Sequence, residues 1–86
     1  MLIKVLANEF LLSASSNTTV NNAVVVRVVH TGTQEHVITI GDGAGSNIGS
    51  FTMLNNSELI LEKDRTDTLQ VDSGTDVKVV SVAYKN

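Results

Sequence analysis

A small antiparallel β-sandwich of about seven or eight strands is what this sequence predicts, and three observations predict it. The apolar runs are rich in Val, Ile and Thr, β-branched residues that fit a pleated, half-buried surface. Clusters of Gly, Asn, Asp and Ser punctuate the chain about every ten residues, the spacing of short strands joined by turns. No long stretch carries the 3.6-residue apolar period of a helix. With no proline anywhere, the turns fall to Gly, Asn, Asp and Ser alone.

In chain order the expected strands lie within Leu2–Ala7, Phe10–Ala14, Ala23–His30, His36–Ile40, Ile48–Leu54, Glu58–Glu62, Thr68–Val71 and Val77–Tyr84. Leu2–Ala14 fits the pattern least well, and reads as two strands or as an arm that packs on another chain. Residues 15–22, Ser-Ser-Asn-Thr-Thr-Val-Asn-Asn, read as a polar surface loop. In Ala23–His30, alternation sets Val24, Val26 and Val28 on one face. Ala23, Val25, Arg27 and Val29 take the other, which Arg27 marks as outer. Ile38 and Ile40 point inward, and Val37 and Thr39 outward. Phe51 and Met53 share a face and are expected at the centre of the core. Leu59 and Leu61 point in, while Glu58, Ile60 and Glu62 point out. Hairpin connections between neighbours are expected, which makes the pairing mostly antiparallel. Residues 1–86 are expected to form one β-sandwich domain.

Composition excludes several functional classes. An 86-residue chain buries a modest fraction of its surface, and without Cys it has neither disulfide nor thiolate metal site. Net charge is −3 and the six basic residues are scattered, so no nucleic-acid partner is expected. Three aromatics, Phe10, Phe51 and Tyr84, make a poor stacking platform. No apolar run approaches the ~18 residues of a membrane helix, so no membrane partner is expected. Oligomerisation is the expected source of extra stability. The outward apolar residues Val25, Val29, Val37 and Ile60 are the candidate interface.

Candidate chemistry is sparse. Gly41-Asp42-Gly43-Ala44-Gly45-Ser46-Asn47 is glycine-rich, but its spacing is not that of a dinucleotide or EF-hand loop. It reads as a turn that uses Gly for positive φ. His30 and His36 flank the turn Thr31–Glu35 and face each other if that turn is a hairpin, with Glu35 as a carboxylate partner. No third and fourth metal ligand is evident, so both are expected as partly exposed strand-end residues. Chelation is accordingly expected to leave the melting temperature unchanged. Gly-x-Ser-x-Gly is absent. Lys63-Asp64-Arg65-Thr66-Asp67-Thr68 reads as a structural corner in which Asp64 and Asp67 accept backbone N–H bonds. No catalytic, cofactor-binding or metal-ligating residues are assigned, and no cofactor is expected.

Several stretches, taken together, resemble a group of small β-sandwich virion structural proteins of tailed bacteriophages of the marine and cyanobacterial-host type. They are Val26-Arg27-Val28-Val29-His30-Thr31-Gly32-Thr33, Ile48-Gly49-Ser50-Phe51-Thr52, Leu61 to Leu69, and Val82-Ala83-Tyr84. Together they span roughly residues 23–84 in one order. Arg65 stands where that group would have proline in Lys-Asp-x-Thr-Asp-Thr. The resemblance implies a non-enzymatic structural role in the virion, made in the host cytoplasm, with phage capsid or tail proteins as partners. A capsid decoration or cement protein, homo-oligomeric or lattice-bound, is the leading expectation. A receptor- or carbohydrate-binding module on a tail or fibre is the alternative.

Overall fold

A computed structural model describes residues 2–85. The strands are β1 (Leu2–Val5), β2 (Phe10–Leu11), β3 (Val25–His30), β4 (His36–Gly41), β5 (Asn47–Met53), β6 (Glu58–Glu62), β7 (Thr68–Val71) and β8 (Val77–Lys85). They form two sheets, and every pairing is antiparallel. One sheet runs β1-β8-β3-β6, with β2 also paired to β8, and the other runs β5-β4-β7. The predicted β-sandwich is therefore what the chain adopts. Leu2–Ala14 supplies two short strands, both laid against β8.

The connections differ from the expected hairpins. Among the described residues, only β4 and β5 are both consecutive and paired. The chain passes from one sheet to the other after β3, β5, β6 and β7. A Gly- and Asx-rich turn serves a corner between sheets as well as a hairpin, so turn composition does not separate the two.

Alternation places the core where the sequence predicts it. Val26, Val28, Val77 and Val79 of one sheet meet Ile38, Met53, Leu69 and Val71 of the other, all buried. Ile40, Phe51, Leu59 and Leu61 pack around them, so Phe51 sits at the margin and Met53 inside. Val24, expected to share the inner face with Val26, precedes β3 and is exposed.

The segment 15–22 is more than a surface loop. Thr18 exchanges backbone hydrogen bonds with Leu69, at 3.1 and 2.8 Å, and Val20 is fully buried. Val20, Asn21 and Asn22 are successive left-handed residues, with φ of 53°, 58° and 56°. That conformation is tolerated by Asn and costly for a β-branched Val. Thr18 and Thr19 hydroxyls, accepting from the Val20 and Asn22 N–H groups, hold the turn that drives Val20 into the core.

The glycine-rich stretch is the β4–β5 hairpin turn. Asp42 Oδ1 accepts from the N–H groups of Ala44 and Ser46, at 2.7 and 3.1 Å. These bonds hold the Asp42 carboxyl below the usual carboxylate range. Gly43 has φ of 82°, and a Cβ there would lie 2.5 Å from the Thr66 carbonyl, so the position requires glycine.

The four outward residues do not share one face. Val37 is on β4 and belongs to the other sheet from Val25, Val29 and Ile60. Val25 is buried in a second small cluster with Val80, Val82 and Ile3. Arg27, directly opposite Val80, pairs with Glu9 at 3.4 Å and with Glu58 on the neighbouring strand. Ile3, packed on this cluster from β1, covers apolar surface that alternation alone assigns to solvent.

Candidate functional site

His30 closes β3 and His36 opens β4, so the crossing turn between them brings the ends of the two sheets together. The rings stack with centroids 4.9 Å apart and planes 25° from parallel. They do face each other, across the sandwich rather than across a hairpin. Both are buried, contrary to the expectation of partly exposed strand ends. The partners are not Glu35 but Asp72 and Asp76, from the loop between β7 and β8.

Each ring has a definite hydrogen-bonding role. The Gly32 N–H donates to His30 Nδ1 at 3.0 Å, which leaves the proton of the neutral ring on Nε2, directed at the Gln34 carbonyl. His36 Nδ1 lies 2.8 Å from Asp72 Oδ1, which accepts its proton. His36 Nε2 lies 2.8 Å from Asp76 Oδ1, yet that oxygen is buried with no hydrogen-bond partner among the described residues. The short distance comes without hydrogen-bonding alignment, so Asp76 Oδ1 receives no hydrogen bond from the ring. Partial burial pushes the Asp72 carboxyl up. Backbone hydrogen bonding at Val37, the His36 ring and the Ser73 backbone outweigh it and hold the carboxyl below its ordinary value.

Backbone contacts fix this loop. Thr31 N–H donates to the Asp76 carbonyl at 2.9 Å, and Asp72 N–H to the Val37 carbonyl at 3.0 Å. Gly32 and Gly74 make room, since a Cβ on Gly32 would overlap the Asp76 carboxylate and one on Gly74 would crowd Asp76 and His36. Among the described residues no hydroxyl is hydrogen-bonded to either imidazole. The signal that sequence reading missed is the pair Asp72 and Asp76, which were legible only as turn residues.

A second feature lies elsewhere. The register of β3 with β8 stops at Val26–Ser81, while β8 continues to Lys85 with β1 on its other side. Beside this extension opens a groove of about 710 Å³ with Leu6, Val24, Val82, Ala83, Tyr84 and Arg65 on its walls. Leu6 is 55% exposed, Val24 49% and Tyr84 45%, a concentration of apolar surface at one end of the molecule. Comparison with protein-family models, with curated proteins and with solved structures finds no match.

Proposed function

We propose that this chain is a non-enzymatic structural protein of a tailed-phage virion, a decoration or cement protein that docks on a protein lattice. The observation that carries this reading is the apolar end formed by Leu6, Val24 and Tyr84 beside the stretch of β8 that has a partner strand on one side alone. Apolar side chains around a strand with a free side suit a protein partner, because backbone pairing and side-chain burial act together there. A lattice multiplies a small contact of this kind through many copies. The resemblance of residues 23–84 to virion proteins points to the particle as the place of action. Val29 and Ile60 lie further along the outer face of the same sheet, away from the groove. Val37 is left out, because it belongs to the opposite sheet.

Co-sedimentation with capsids, paired with size-exclusion chromatography and light scattering, tests the proposal. Leu6→Lys combined with Val24→Lys should leave the chain folded, because both side chains are half exposed. Binding and assembly should fall below detection, since desolvating two added charges at an interface costs several kcal/mol, on the order of 3–5. Val29→Lys with Ile60→Lys should weaken binding less. Undiminished binding by the Leu6/Val24 variant would contradict the proposal.

A further inference from the structure

The geometry points to a divalent-cation site at the end of the sandwich, formed by His36 Nε2, the Asp76 carboxylate and one ring nitrogen of His30. One ligand atom from each residue lies within 4.8 Å of the others. The site is independent of the docking surface, and its carboxylate is Asp76 rather than the Glu35 that the sequence sets beside the two histidines.

Three observations converge on it. First, Asp72 accepts the His36 Nδ1 proton, which turns the Nε2 lone pair toward Asp76. A carboxylate fixing the tautomer of a ligating imidazole is the usual outer support of a bound metal. Second, Asp76 Oδ1 is buried 2.8 Å from that nitrogen and receives no hydrogen bond among the described residues. A buried carboxylate oxygen left without a donor beside a ring nitrogen is a costly arrangement, and a cation shared by the two resolves it. Third, among the described residues no Lys or Arg pairs with Asp72 or Asp76. With neutral imidazoles the cluster carries two negative charges beside the buried His36 ring.

The donor set selects the ion. Two imidazole nitrogens and one carboxylate oxygen suit borderline first-row cations such as Zn²⁺, whereas Ca²⁺ takes six to eight oxygens. Three protein ligands leave the fourth position of Zn²⁺ to water. His30 joins by moving its proton. In the ion-free protein its Nε2–H is directed at the Gln34 carbonyl and Nδ1 accepts from Gly32. Ligation displaces one of these two bonds: through Nε2, the ring proton shifts to Nδ1, the Gly32 N–H loses its acceptor, and Gln34, in the exposed crossing turn, gives way. Binding is therefore weaker than at a preformed three-ligand site.

Isothermal titration of the chelator-stripped protein with ZnCl₂ tests this. One Zn²⁺ per chain is expected, with a melting temperature that rises on addition and falls back on chelation. His36→Gln, Asp76→Asn and His30→Gln should each lower affinity on the order of tenfold or more. Asp72→Asn, which removes a positioning residue, should cost about 10–100-fold and shift the His36 tautomer in long-range ¹H–¹⁵N histidine spectra. The same spectra of the wild-type protein settle the matter should a variant fail to fold. Zn²⁺ should move His36 Nε2 and one ring nitrogen of His30 into the metal-bound range. Spectra unchanged by Zn²⁺, with His36 protonated on both nitrogens between its two carboxylates, would overturn the inference. So would Zn²⁺ affinity unaffected by His36→Gln and Asp76→Asn.

Discussion

Replacing Leu69 by Ala should lower the stability of this protein by about 2–5 kcal/mol, the range for removing a fully buried leucine. Leu69 is 0% exposed, stands opposite Ile40 in the register of β4 with β7, and belongs to the main core. Its backbone is also the anchor of the 15–22 segment through Thr18. A shortened side chain leaves a void where both sheets and the Val20 turn converge, and the β-ladder on either side limits collapse into it. A chain of this size has a total stability of roughly 4–13 kcal/mol. The loss should therefore appear as a fall of roughly 10–25 °C in melting temperature. Ile48→Ala, at an exposed position on β5, should stay within about 0.5 kcal/mol and serves as the control. Equal effects from the two would mean that the core is misplaced.

Lys63→Ala should be the next most damaging change, at about 1–3 kcal/mol. Lys63 is buried, and its Nζ donates to the Ala23 carbonyl at 2.7 Å and the Asp64 carbonyl at 3.1 Å. Its own N–H donates to the Val24 carbonyl at 2.8 Å, so backbone and side chain together tie the end of β6 to the entrance of β3. Removing the ammonium orphans the Ala23 carbonyl and strips the packed stem. Desolvation pulls the Lys63 pKa below its ordinary value, against the opposing pull of Asp67 and Asp64. The sign follows from linkage. A depressed lysine pKa means the folded state gives up its proton first, so stability rises as pH climbs from the folded value toward about 10.4. Chemical denaturation across that alkaline window should show the rise in the wild type and a smaller one in Lys63→Met. Identical pH slopes would show that the ammonium is solvated.

Where a residue's role depends on its immediate neighbours along the chain, sequence was a sufficient guide. Alternation placed Val26, Val28, Ile38, Leu59 and Leu61 inward, and the fold agrees. The Asp42 turn with its left-handed glycines was legible for the same reason. Residues whose role is set by distant parts of the chain were not. Nothing local brings Asp72 and Asp76 onto His36, because their meeting depends on which turns cross between sheets. Lys63 looked like an ordinary turn charge because the carbonyl it caps lies 40 residues away. Val25 looked exposed because alternation is blind to the cover that Ile3 brings to the outer face. Val20 was read with its polar neighbours, although its burial rests on a backbone conformation that a β-branched residue rarely adopts.

Hydrogen exchange compared between the free protein and the protein on assembled particles tests the central claim, that the apolar end beside β8 is the docking surface. The amides of Val82 and Tyr84, on the side of β8 that β3 does not reach, should exchange quickly in the free protein and become strongly protected on the particle. Those of Leu6 and Val24 should gain protection with them, while the exposed β4–β5 turn at Gly43–Gly45 should be unchanged. Protection gained at the β4–β5 turn, with none at residues 82–84, would contradict the account.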